Sequence, residues 1–196
     1  MAHAARALAL ALVLTGAAAA APVQPLRVAA ASGDPAAQAA LGDAYAQGIG
    51  VTKSWPQAFA WYIKAARAGH AAAYLPVASA YHDGRGAPKD LTKALWWFEK
   101  AAAAGNAVAA NELAYHTAEA GGDLSRAQAL ADQALAKEPE NPHYLDTKAG
   151  ILMRRGSWTE AADLLRKAHV AEPHDSEIAA HLGDAEHHRK PRPGRE

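Results

Sequence analysis

The sequence predicts an all-α protein, a right-handed α-solenoid of about four stacked helical hairpins closed by a terminal helix. One observation is an internal copy: GDPAAQAALGDAYAQGIGVTKSWPQAFAWYIKAARAG is followed 36 residues later by GHAAAYLPVASAYHDGRGAPKDLTKALWWFEKAAAAG, with Gly33, Gly69 and Gly105 marking the period. A repeat of this length is one helical hairpin, too small to bury its apolar face alone and therefore stacked on its neighbours. Another is that capping residues bracket each apolar segment. A third is that the chain has no cysteine, so its stability rests on packing alone.

The elements follow in chain order. Arg6, the apolar run around LALALVLTG and the small residues Ala19 to Ala21 have the form of a cleaved secretory signal peptide over residues 1–21. The run is shorter than the roughly 20 residues that span a bilayer. We therefore expect an exported, periplasmic or secreted protein of about 175 residues without a membrane span in the mature chain. Residues 22–32 read as a linker.

Asp34-Pro35 is an N-cap followed by proline at the first helical position, and that helix should end near Gln47, before Gly48 and Gly50. Ser54 and Gln57 have the spacing of a capping box for the second helix. In the second copy Asp90 takes the place of Ser54. Trp61 and Trp97, Tyr62 and Phe98, and Tyr45 and Tyr81 are equivalent pairs that read as core knobs. Pro76 falls where the pattern predicts a helix interior, which would cost about 3 kcal/mol.

The positions Leu41, Gly42, Tyr45, Gly48, Gly50, Ala58, Trp61, Tyr62, Lys64, Ala65, Ala66 and Gly69 closely resemble Sel1-like repeats. The second copy matches through Tyr81, Gly84, Gly86, Asp90, Lys93, Ala94, Trp97, Lys100, Ala101, Ala102 and Gly105, with Val77-Ala78 departing from the usual Leu-Gly. The resemblance implies two Sel1-like repeats over residues 33–105. From residue 106 to 188 the pattern resembles tetratricopeptide (TPR) repeats. Leu113, Ala114, Gly122, Asp123, Ala127, Ala134 and Pro139 match one unit, and Leu145, Ala149, Leu152, Gly156, Trp158, Ala161, Leu165, Ala168 and Pro173 match the next. Asn141-Pro142 and Ser157 to Glu160 supply caps, and Asp175 opens a terminal helix. Lys148 stands where that family usually has leucine. The tail 189–196 is too polar and proline-rich to pack, and we expect it to be disordered.

The formal net charge is zero, which gives no electrostatic reason to expect nucleic acid as a partner, although acids thin out before Gly105 and concentrate after it. No phosphate loop, Gly-x-Ser-x-Gly elbow, Ser-x-x-Lys or His-Glu-x-x-His motif occurs. No catalytic residue, cofactor site or metal site is assigned. His181, Asp184 and His188 share one face of the terminal helix that could hold zinc or copper, but a solvated polar cap accounts for them.

Both resemblances imply that the first helix of each hairpin lines a concave face. The exposed positions there would be Asp43 and Gln47, then Ser79, His82 and Asp83, then Asn111, Tyr115 and Glu119, then His143, Asp146, Met153 and Arg154. Trp96 adds a thirteenth candidate, because neighbours on a helix diverge by about 100° and Trp96 is exposed if Trp97 is the core residue. The expected function is non-enzymatic: an adaptor or scaffold of the bacterial cell envelope that binds a protein or peptide partner on this face. The competing readings are self-assembly through a solenoid end, a cell-wall hydrolase and metal carriage.

Overall fold

The structure is a computed structural model that describes residues 23–189, so the signal peptide expected over 1–21 and nearly all of the tail expected over 189–196 lie outside the described residues. The described residues form ten α-helices and one short 3₁₀ turn, with no strand among them, in two compact units that divide at Gly105.

The first unit contains α1 (Val23–Ala31), α2 (Pro35–Gln47), α3 (Trp55–Arg67), a 3₁₀ turn (Ala71–Ala73), α4 (Tyr74–Asp83) and α5 (Leu91–Ala103). Helix α1 replaces the linker expected over 22–32. It forms because Val23, Leu26 and Ala30 make an apolar stripe that packs on Ala37, Leu41 and Ala44 of α2. Buried Gln38 ties the two helices by donating to the Ala30 carbonyl at 3.2 Å.

Helix starts follow their caps. Asp34 accepts from the Ala36 amide at 3.0 Å, and Ser54 from the Gln57 amide at 3.4 Å. The Ser54 amide donates to the Tyr45 carbonyl at 2.9 Å, so no donor is left there for Gln57 and only half of the expected capping box forms. Pro76 is not interior. Residues 71–73 wind as a 3₁₀ turn, α4 begins at Tyr74, and the proline falls in the first turn, where amides have no intrahelical acceptor.

Tight approaches set the internal packing. Gly42 lies under the Tyr62 ring, where a Cβ would come 2.5 Å from the ring's Cδ1. Tyr62 is held there by a 2.7 Å hydrogen bond from its hydroxyl to Asp43. The second copy changes three equivalent positions together, to Ala78, Ser79 and Phe98, which removes the hydroxyl and its acceptor where the glycine is also gone. Gly86, at φ +82°, brings the α4–α5 loop against α3, and a Cβ on it would lie 2.2 Å from the Trp55 carbonyl oxygen. Trp97 and Phe98 are buried, whereas Trp61 is only half-buried, with Lys64 Nζ 4.1 Å from its ring centroid.

The second unit contains α6 (Ala107–Glu119), α7 (Leu124–Leu135), α8 (Pro142–Arg154), α9 (Trp158–Ala171) and α10 (Ser176–His188). Its core is Leu145, Ala149, Leu152, Leu165 and Ile178, with Ala114, Ala127, Ala131 and Ile151 forming a neighbouring cluster. Lys148, in a usual leucine position, reaches Asp132 on α7 at 2.6 Å, which gives its charge a partner at the helix contact. Asn141 and Asp175 cap α8 and α10 as expected, each accepting from two amides. Ser157 makes no side-chain cap: its amide donates to the Leu152 carbonyl at 2.9 Å, and α9 starts without a capping box.

Candidate functional site

Within the first unit, residues of α3 and α4, with Arg85 just beyond α4, line a cleft of about 290 Å³. Its floor is Trp55, Phe59, Tyr62 and Pro76, and its rim holds Ser79, Asp83 and Arg85. The floor is open because Trp55 occupies the first residue of α3, off the buried stripe Ala58, Tyr62, Ala65 and Ala66. Arg85 and Lys53 flank the Trp55 ring at 5.3 and 5.2 Å from its centroid. Asp83 bonds His82 Nδ1 at 2.8 Å and pairs with Arg85; the His82 hydrogen bond, supported by the guanidinium, holds its carboxyl below the usual aspartate range.

Asp43, beside this cleft, behaves in the opposite way. Its surroundings displace enough water to push its carboxyl above the ordinary value of 3.8, and the hydrogen bond from Tyr62 only partly offsets this. Burial and the neighbouring Asp43 charge together push the Tyr62 hydroxyl well up, so it stays a donor.

The thirteen candidate residues therefore separate. Ser79 and Asp83 line the cleft; Asp43 reaches it through Tyr62, His82 adjoins it through Asp83, and Gln47 is exposed at the end of α2. Trp96 is 51% exposed but lies on α5, a second helix, and so is off the first-helix strip. In the second unit the strip is largely self-satisfied. Glu119 pairs with Arg154, Asp146 accepts from His181 Nδ1 at 2.8 Å, and exposed His143 lies 3.8 Å from Glu172. Two placements are corrected. Asn111 is buried at 8% exposure, because it continues the alanine stripe of α6 with Ala110, Ala114 and Ala118. Met153 is half-buried, one side packed against the Leu145–Leu165 core. Tyr115 remains exposed.

The terminal histidines do not converge on a metal position. His181 turns to Asp146, while His188 bonds Asp184 at 3.1 Å and stacks on Trp158 with centroids 4.6 Å apart. A different trio, His143, Glu172 and Asp175, brings ligand atoms within 4.8 Å of one another. His143 lies in the first turn of α8 and Asp175 caps α10, so both helix dipoles present their positive ends there and disfavour a cation.

Sequence reasoning missed Trp55, Phe59 and Arg85. The available signal was Trp55 itself, a large apolar residue between a cap and a first-turn proline, where no buried stripe begins.

Paired antiparallel helices at a fixed period, with an aromatic cleft between consecutive hairpins, define an α-solenoid of the kind that serves as a protein-interaction scaffold. The Sel1 repeat model matches residues 35–70 and 71–106, so the chain carries two Sel1 repeats. Among solved structures it is similar to a Sel1 repeat protein from Oxalobacter formigenes, with 27% identity, a TM-score of 0.63 and coverage of 82% of this chain and 69% of that one. It is also similar to a protective antigen present in uropathogenic Escherichia coli strains and displaying an SLR fold, with 26% identity, a TM-score of 0.67 and coverage of 83% and 35%. TPR-like hairpins in the second unit are consistent with that fold. Cellulose synthase operon protein C of Pseudomonas fluorescens (strain SBW25) is 50% identical over 48 residues, which is 24% of this chain and 4% of that much longer protein.

Proposed function

We propose that the protein is an exported, non-enzymatic adaptor of the bacterial cell envelope that binds a protein or peptide segment in the cleft between α3 and α4. The observation that carries this reading is the cleft's composition: an aromatic floor beside a rim that offers a hydroxyl, a carboxylate and a guanidinium. A floor of this kind supplies contact area at low entropic cost, and a few rim groups fix register. Sel1 repeats are protein-interaction modules, which supports a macromolecular partner over a small substrate. The envelope assignment rests on the N-terminal segment 1–21, with its positive end, apolar run and small-residue cleavage site.

Photo-crosslinking in the source cell tests the reading. A benzoylphenylalanine at Ser79 should trap a discrete partner band, and Phe59→Ala in the same chain should abolish it while helical circular dichroism is retained. A band of equal strength from a probe at exposed Glu160 would place the contact elsewhere and defeat the assignment. Fractionation with N-terminal mass analysis should find a periplasmic or secreted form beginning near Pro22; a cytoplasmic form retaining residues 1–21 would remove the envelope role.

A further inference from the structure

We propose that the first unit carries a second interaction surface, a basic aromatic groove lined by α3, α4 and α5 that takes an acidic peptide segment bearing an aromatic or aliphatic side chain. The groove measures about 520 Å³. Tyr74, Trp97 and Trp96 form its continuous apolar wall, with centroids 5.7 Å apart for the first pair and 4.6 Å for the second. Arg67, Lys93 and Lys100 border it, and no lining residue is acidic. Lys93 is paired with Asp90 at 2.8 Å, whereas Lys100 sits 5.1 Å from the Trp96 ring centroid and neither it nor Arg67 has a carboxylate partner among the described residues.

Tyr81, Lys93, Trp97 and Lys100 of the groove are repeat positions, but Trp96 and Arg67 are additions that the repeat does not require. The first copy builds the same hairpin with Ala60 at the position of Trp96 and Gln57 at that of Lys93, and Arg67 corresponds to Ala103 in the second. An indole left 51% exposed at a place where the fold accepts alanine is surface available for a contact. The charge of the unit agrees with the local picture. Residues 23–104 hold eight Lys and Arg against five Asp and Glu, while residues 105–189 hold eight against fourteen. Such an imbalance steers an anionic segment to the first unit.

The chemistry of the lining selects a carboxylate-bearing chain over a sugar polymer. Sugar hydroxyls need acceptors as well as donors, and apart from two tyrosine hydroxyls the groove's polar side-chain groups, the indole N–H of the tryptophans and the three cations, only donate. Carboxylates satisfy those donors fully, and a neighbouring apolar side chain covers Trp96. This surface is separate from the cleft between α3 and α4, and its test does not depend on that reading.

The experiment is fluorescence anisotropy of the purified protein with a fluorescein-labelled peptide Asp-Glu-Leu-Phe-Glu-Asp and its amide counterpart Asn-Gln-Leu-Phe-Gln-Asn. The acidic probe should bind saturably, at least tenfold tighter than the amide probe, and should weaken as ionic strength rises past ~0.15 M. Trp96→Ala and, separately, Lys100→Glu should each lower affinity tenfold or more with helical circular dichroism unchanged. Equal binding of the two probes, or affinity unaltered in both variants, overturns the proposal. Displacement of the acidic probe by polygalacturonate at lower carboxylate concentration than by unlabelled peptide overturns it in favour of an anionic polysaccharide.

Discussion

Replacing Gly42 with alanine tests whether the Tyr62–Asp43 bond pins the ring over the helix. The new methyl would lie 2.5 Å from Cδ1 and 2.6 Å from Cε1 of Tyr62, well inside contact distance. Overpacking of this kind costs about 1–3 kcal/mol, and the change from glycine to alanine within a helix returns about 1 kcal/mol. Gly42→Ala alone should therefore destabilise the first unit by about 0–2 kcal/mol. Tyr62→Phe removes the hydroxyl that holds the ring to Asp43 at 2.7 Å and lets it swing away, as the combination of Ala78, Ser79 and Phe98 suggests. In the Tyr62→Phe background the same Gly42→Ala change should become neutral or stabilising, a coupling of about 1–2 kcal/mol between adjacent sites. Urea unfolding of the four proteins in the double-mutant cycle, followed by circular dichroism, measures it. Additivity within about 0.3 kcal/mol would refute the idea that the hydroxyl fixes the ring.

Gly86→Ala combines a left-handed backbone, worth about 1–2 kcal/mol, with a clash against the Trp55 carbonyl, whereas Gly84→Ala meets nothing closer than 3.5 Å and should show the backbone cost alone. Thermal melts should rank Gly86→Ala clearly below Gly84→Ala; equal melting temperatures would mean the loop does not need that approach. Pro76→Ala should cost no more than about 1 kcal/mol, chiefly through the unfolded chain, and a loss near 3 kcal/mol in chemical denaturation would contradict its first-turn position. Because the folded-state pKa of Asp43 is raised, ionising it disfavours the native state, so its contribution declines as pH climbs through the window just above 3.8. Asp43→Asn, which keeps a partner for Tyr62 without ionising, should gain melting temperature relative to wild type between about pH 3 and 7; parallel profiles would count against the shift.

The repeat register, most helix starts and the buried ring pair Trp97 and Phe98 were legible in the sequence because each rests on local chemistry, a cap or a 36-residue equivalence. Helix α1 was read as a linker because it lacks a capping signature, although Ala29-Ala30 and Gly33 repeat Ala65-Ala66 and Gly69. The strip of candidate residues was harder. Asn111 and Met153 are polar or adaptable side chains whose burial depends on helix rotation, which spacing fixes only to within a residue or so. Glu119, Arg154, Asp146 and His181 find one another across 35 residues, and no local pattern announces a pairing at that distance. The α3–α4 cleft is lined from two helices of different repeats, a property of tertiary geometry rather than of either helix.

The turns at Gly33 and Gly69 close with the same pair of backbone bonds. Each glycine amide reaches the carbonyl three residues back, and the next amide reaches the carbonyl five residues back. Helix α1 therefore ends at the same joint as α3, and a further 36-residue copy inserted after Gly69 would meet at both ends the joint that is already there. The chain can grow by whole copies without any new junction having to be devised. Each insertion would add an α3–α4 type of interval, so the number of such clefts would change with the number of copies while the side chains lining each one diverge separately.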